Sequence, residues 1–490
     1  MSIAGRAVRV VLLVALGSAL LPGAAGPPPG AGAGPVLTSL ILRSAERRGI
    51  SLRADIAADA TGINLYRSLA VTDTAILGNF SFQSVMERLA CPAERACPAG
   101  DVRREALALY HQWWDTQNEV SPGPGPKCRP TLFDFPYQCP RREGLQIAAD
   151  PFSDSPPGSG YVAIGLFNRI DLLAADGSDC GEYRIVFARR SGQLDGNNRL
   201  LVNFEAVLPN PQPATGIAGC KPVAQFWKDL TAVPGPADRV PLLRAFYFTG
   251  LPGFPPVVHA DHYGTRFYAG PGGVQTRGQV RTNQFGQGPW VLREFRLVRP
   301  CPHCAPGFVP DRLAQTPFGG LFGATSAHPQ AQAFQDTFVT LVGQLTTGDA
   351  NTLTYDIPRL FETAQSESCD PGNPLMTCLT QPVDGQYLLK TDAAFTTRIQ
   401  GLLPLGGALS AEHIVKRAMA LSCAGCHQLS SNEPLGAGLL WPTSLEFVHV
   451  SERSKETRPG ADGEGYEISP ALKETFLPYR AGKLAGVLAQ

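Results

Sequence analysis

Charge is scarce along this chain and carries no bias of sign. Charged residues make up 17% of the 490 positions, 42 Lys and Arg against 42 Asp and Glu. A chain so balanced projects no long-range field toward nucleic acid or an anionic membrane surface, so neither is expected as a partner. Methionine is rarer still: there are four, and none follows Met419. No cysteine precedes Cys91, so no thiol near the start can take a lipid. Beyond the first two dozen residues, no apolar run approaches the roughly 20 residues that span a bilayer. G-x-S-x-G elbows, phosphate-binding glycine loops and H-E-x-x-H pairs are all missing, and no repeat recurs at a solenoid or propeller period.

What is present begins with an export signature. Arg6 and Arg9 precede an apolar run from Val10 to Leu21, then Pro22 and the small residues Gly23-Ala24-Ala25. A run of about a dozen residues suits a signal-peptide core rather than a membrane span. Residues 1–25 are therefore expected to be a signal peptide, giving a periplasmic or secreted protein without a stable membrane anchor after cleavage. The remainder is long enough for two or three domains. Gly and Pro number 52 and 44, which predicts long irregular connections, while the 43% apolar share still supports globular cores.

The apolar patterning predicts an α+β chain. Residues 26–126 read as a helical N-terminal region and linker, with helices over Val36–Arg48, Phe82–Leu89 and Val102–Thr116. The run Ser121-Pro-Gly-Pro-Gly-Pro126 breaks any helix. Residues 127–390 read as strand-rich, with strands over Tyr161–Leu173, Tyr183–Arg189, Arg199–Leu208, Gln279–Phe285 and Trp290–Val298. In the third of these, Leu200, Val202, Phe204 and Ala206 alternate with Asn203 and Glu205, the pattern of a half-buried strand. Asp195-Gly196 before it signals a turn. Helices are expected at Phe226–Ala232, Arg239–Phe248 and Gln330–Leu345. Within 391–490, Ser410 can cap a helix running straight into Cys423, and Ser469-Pro470 opens a last helix that Pro478 should break or kink.

The twelve cysteines sort by position. Ten fall as near neighbours: Cys91 and Cys97, Cys128 and Cys139, Cys180 and Cys220, Cys301 and Cys304, Cys369 and Cys378. An even remainder in an exported chain suggests disulfides, and neighbour pairing is the simplest arrangement among roughly 900. The other two belong to Cys423-Ala-Gly-Cys426-His427, the Cys-x-x-Cys-His pattern of covalent haem attachment. On a helical turn its two sulfurs reach the two vinyl groups along one porphyrin edge, and the next imidazole swings under the iron as an axial ligand. The alternatives are a disulfide followed by an unrelated histidine, or half of a zinc site. Zinc would need a second close ligand pair, and the nearest other cysteine is Cys378.

The helix before this motif, the loop after it and the terminal helix resemble the cytochrome c family over about residues 405–490. The resemblance implies a small all-α, cytochrome c-like domain at 391–490. It would hold one covalently attached haem c through Cys423 and Cys426, with His427 as proximal ligand, and exchange electrons with a redox partner protein or a small donor or acceptor. One departure stands out. Familiar members supply a distal Met from downstream, and none is available here. His449, the only later histidine, becomes the candidate second iron ligand beside His427, as in low-potential members that use two imidazoles. His413, on the incoming helix, lies too far from Cys423 along that helix to reach the far haem face.

Other clusters carry less. Cys301-Pro-His-Cys304 resembles the motif of oxidising thioredoxin-fold proteins, but the prolines after it forbid the helix that such a motif needs, so a structural disulfide or a free pair in a tight loop is expected. His259, Asp261 and His262 lack a third ligand nearby. Asn168, Arg169, Asp171, Glu182 and Arg184 are expected to form a buried salt-bridge network rather than a site. The segments Phe167–Leu172, Cys180–Phe187 and Arg281–Phe295 are similar to large exported bacterial proteins of undefined function. Electron transfer is thus the leading expectation. A peroxidase-like, haem-dependent oxidoreductase, and a disulfide-stapled binding module with a structural haem, stand behind it.

Overall fold

Branched and aromatic residues concentrate in three long stretches, and these build the centre of a ten-stranded sheet. The computed structural model describes residues 61–112, 131–137, 149–266, 274–275, 278–285, 290–326, 328–368, 387–457 and 463–490. The expected signal peptide, the expected helix at 36–48 and the end of the one at 102–116 lie outside them. So do Cys128, Cys139, Cys369 and Cys378.

The sheet runs in the order β1 (Ala70–Val71), β2 (Tyr161–Arg169), β3 (Asp179–Arg189), β4 (Leu200–Pro209), then β7 (Gln279–Gln284), β8 (Trp290–Arg299), β5 (Gly264–Arg266) and β6 (Val274–Gln275). Two more strands, β9 (Gly307–Asp311) and β10 (Gln365–Ser368), pair with β8 end to end along its other edge. The strands are antiparallel except where β5 meets β8. The expected strands are therefore present, and Ala70–Val71 from the N-terminal region joins them at the edge. Between β3 and β4 the chain makes a short helix, Arg190–Leu194, and a 3-10 turn, Gly196–Asn198, rather than a tight two-residue turn.

Helices α1 (Phe82–Ala90), α2 (Val102–His111), α3 (Lys221–Asp229) and α4 (Pro236–Phe248) contribute to the main core. One face of the sheet supplies Leu166, Ile185, Phe204, Val280 and Phe295, which pair directly across five strands and are fully buried. A second core gathers Phe322, Phe334, Phe338, Tyr355, Phe395, Ile414 and Val415. They come from α5 (Ala331–Leu341), α6 (Ala393–Gln400), α7 (Ala411–Leu421) and neighbouring turns. Disulfides join Cys91 to Cys97, Cys180 to Cys220 and Cys301 to Cys304.

The C-terminal hundred residues depart from the all-α expectation. They include an antiparallel hairpin, β11 (Val450–Thr457) with β12 (Glu464–Ile468). Their apolar residues also divide between the two larger cores. Ile414, Val415 and Ala418 sit in the second, whereas Val448, Val450, Ile468, Leu477, Leu484 and Val487 sit in the first. Ser469 accepts the Leu472 amide as expected of a cap. Pro478 does not break the terminal helix: a wide π turn, Ala471–Phe476, precedes it and α8 (Leu477–Ala489) takes it into its first turn, where a missing N–H costs nothing. No helix among the described residues is long and apolar enough to cross a membrane.

Candidate functional site

The site begins with how α7 starts and stops. Ser410 Oγ accepts the His413 amide, and His413 Nδ1 accepts the Ser410 amide in return. This is a capping box with histidine where glutamate or glutamine is usual, and it occupies His413. Arg417, fully buried, donates to the carbonyls of Leu345, Thr347, Leu435 and Gly436 at 2.6–3.0 Å. Hydrogen bonds to a charged group are worth about 1.5–3 kcal/mol each, so four of them can offset a desolvation cost of several kcal/mol. They also tie the segment after the motif to the helix before it.

Ser422 then ends the helix, with ψ at 158°. Its Oγ donates to Met419 O at 2.8 Å and accepts from Gly425 N at 3.1 Å. The helix therefore does not run straight into Cys423. The chain turns helically again at Cys423 and Ala424 and widens into a π turn over Gly425–Leu429. A side chain on Gly425 would meet the Met419 carbonyl at 1.7 Å. Glycine is needed there to fold the motif back onto α7.

Cys423, Cys426, His427 and His449 line one cavity of about 540 Å³, within the range of about 300–1,000 Å³ usual for ligand pockets. Cys423 and Cys426 are thiols, not a disulfide. His427 Nδ1 lies 2.8 Å from the Phe447 carbonyl. A carbonyl can only accept, so Nδ1 carries the proton and Nε2 keeps its lone pair, the tautomer a metal needs. That carbonyl sits on a tight turn in which Glu446 and Phe447 both have positive φ, 46° and 67°, between the paired Leu445 and Val448. Positive φ costs a non-glycine residue about 1–2 kcal/mol. Packing holds it: Phe447 stacks on Trp290 at 5.1 Å, and Trp290 lies 5.6 Å from the His427 ring.

His449 approaches from the same turn. Its Nδ1 meets Ser469 Oγ at 2.9 Å and its Nε2 lies 3.7 Å from Cys426 Sγ. The two imidazole centres are 4.9 Å apart. These are the two imidazoles that would ligate an iron held in this cavity. Burial pushes His427 down to about 4 and His449 well below its usual value, keeping both rings in the neutral, ligating form. It also pushes the Cys426 thiol up to about 11.

The opposite wall is the second face of the sheet. Phe167, Arg184, Glu205 and Gln279 stand in one cross-strand row, and Asn203 beside Arg281 in the next. Arg169 binds both oxygens of Asp171, Arg184 pairs with Glu182 and Glu205, and Arg281 with Glu205 and Glu294. Burial opposes the ionisation of Asp171, yet Arg169 and Arg480 outweigh it and hold the carboxyl at about 2. The network expected among Arg169, Asp171, Glu182 and Arg184 thus exists and forms a cavity wall. Asn168 points the other way, donating to Ser68 O.

Comparison with family models, curated proteins and solved structures finds no match.

The other clusters stay apart from this cavity. His259 lies 3.4 Å from Glu94, Asp261 is bound by Arg299, and His262 Nδ1 meets the Val257 carbonyl. Cys301 and Cys304 close a loop whose His303 bonds the Glu94 carbonyl. Sequence reasoning missed Glu205, Gln279, Arg281, Phe447, Ser469 and Arg480. For the first three the signal was present, in charged or amide side chains at alternate positions of strands otherwise rich in buried residues.

The set fits a covalently attached haem in its donors: two thiols, an imidazole with its tautomer fixed, and a second imidazole within reach. Buried arginines across the cavity could meet propionates.

Proposed function

We propose that this cavity holds one haem c, attached through Cys423 and Cys426 with His427 as axial ligand. On this reading the chain is an exported electron-transfer protein, with 391–490 as its cytochrome c-like segment. The observation that carries it is the hydrogen bond from His427 Nδ1 to Phe447 O, which leaves Nε2 directed by a rigid, aromatic-backed turn. His449 is the proposed second ligand, with Ser469 fixing its ring. Such a haem supplies a one-electron iron centre whose potential the axial ligands and burial tune. Trp290 and Phe447 exclude water on one side, and the sheet wall supplies counter-charge on the other. The large sheet region docks or positions the redox partner. Periplasmic or secreted location follows from the proposed signal peptide, and the three disulfides among the described residues agree with an oxidising compartment.

A haem-dependent oxidoreductase is the second reading, favoured by the polar wall facing the motif. The test common to both is expression with a cytochrome c maturation system. The band should keep its haem stain in a denaturing gel, and the double variant Cys423→Ala/Cys426→Ala should lose it. Exported wild type without covalent haem would overturn the proposal.

A further inference from the structure

Four guanidinium groups line the cavity, those of Arg169, Arg184, Arg281 and Arg480, against three carboxylates, Asp171, Glu182 and Glu205. Three of the arginines are fully engaged. Arg480 is not. It lies on α8 at 6% exposure, and its one ion pair among the described residues is a contact of 3.4 Å from Nε to Asp171 Oδ1. That carboxylate is already bound at both oxygens by Arg169. The Arg480 Nε is buried without a hydrogen bond. A buried guanidinium left in this state carries a desolvation cost that a ligand can offset.

We infer that Arg480 anchors an anion site in the cavity, and that its ligand is a carboxylate. The guanidinium fork matches a carboxylate in two parallel hydrogen bonds. Glu294 also pairs with Arg281 and brings the network close to charge balance, which suits a singly charged group better than a doubly charged phosphate. Tyr479, beside it in sequence, lines the same cavity, as does Asn203, which offers a neutral amide to the rest of a small molecule. Burial, together with the like charges of Arg169 and Arg184, presses on the Arg480 charge and pushes its pKa down to about 9. A bound anion would relieve that pressure.

The carboxylate has two possible sources, a haem propionate or a free small monocarboxylate. The first rests on the haem proposal and the second does not. The full-length purified protein is titrated with acetate, with chloride and phosphate as controls, following its melting temperature. In parallel, the haem potential is measured from pH 5 to 9. A melting temperature raised by acetate in wild type, with half-saturation weakened at least tenfold in Arg480→Lys and the effect lost in Arg480→Gln, assigns a free carboxylate. If acetate does nothing, but Arg480→Gln reshapes the potential–pH profile and Arg480→Lys largely restores it, the propionate is assigned. No acetate effect together with an unchanged profile overturns the site, as does no acetate effect in protein that lacks haem. Should Arg480→Gln fail to fold, Arg480→Met, which keeps most of the side-chain length and removes the charge, replaces it in both arms. Absence of haem with acetate binding intact would sink the haem proposal and leave this one standing.

Discussion

The rings of His427 and His449 lie 4.9 Å apart, each with its Nδ1 engaged, one by the Phe447 carbonyl and the other by the Ser469 hydroxyl. The carbonyl leaves Nε2 of His427 as an acceptor or ligand, while the Ser469 hydroxyl holds the His449 ring with its Nε2 toward Cys426. With haem attached, wild type is expected to be low-spin with two imidazoles, and its potential should lie below that of a His/Met centre. His449→Ala should turn the optical and paramagnetic resonance spectra high-spin and let carbon monoxide bind. An unchanged low-spin spectrum would remove His449 as a ligand.

The same burial makes the haem-free protein acid-sensitive. In the unfolded chain both histidines take a proton near pH 6.5. In the folded chain His427 resists protonation until about pH 4, and His449 is shifted the same way. Between these limits the unfolded state binds more protons, so stability falls as pH falls, by up to about 1.4 kcal/mol per pH unit for each ring. Urea midpoints of Cys423→Ala/Cys426→Ala at pH 7 and pH 5 should differ accordingly. The difference should shrink in a background that also carries His449→Gln.

Glu362 produces the opposite slope. Burial raises it to about 7, even though its carboxylate accepts the Gln315 amide and faces Arg359. Its folded pKa lies above its unfolded value, so its contribution is complete below about pH 4.5 and disappears as pH rises through 7. The whole effect is about 3 kcal/mol. Glu362→Gln keeps an acceptor for Gln315 and removes the titration. At pH 8 the variant should unfold at higher urea than wild type, and at pH 4 the two should agree. Parallel curves at every pH would contradict this.

The strands and helices were largely legible because their apolar periodicity is strong, as in β4 and α1. The two faces of the sheet were not. Asn203 and Glu205 alternate with Leu200, Val202 and Phe204 in a way that reads as water on one side. Glu205 is in fact 1% exposed, because the C-terminal segment covers that face. Sequence pattern reports which side chains point together, not what lies over them. The motif at Cys423–His427 was legible by spacing alone. The carbonyl that fixes His427 belongs to a turn formed by Glu446-Phe447 instead of the expected Asn-Gly type, so no local signal marked it. The C-terminal hairpin escaped notice because its first strand, with Glu452, Arg453, Lys455 and Glu456, looks like a solvated loop, although Glu452 is buried against Arg199.

Helix α8 has neighbours drawn from far up the chain: Leu65–Ser68, Ile170–Leu172 and α3. Contacts of such sequence separation form late and slowly, and Arg480 reaches the cavity on this same helix. Until the last residues have emerged and docked, the wall that carries Arg480 does not exist and the thiols stand open. Once it docks, Cys426 lines the cavity half-buried, and desolvation raises its pKa to about 11, which makes it a poor partner for any reaction that needs thiolate. On the haem proposal, assembly therefore has a fixed order, with bond formation at the two thiols first and closure second.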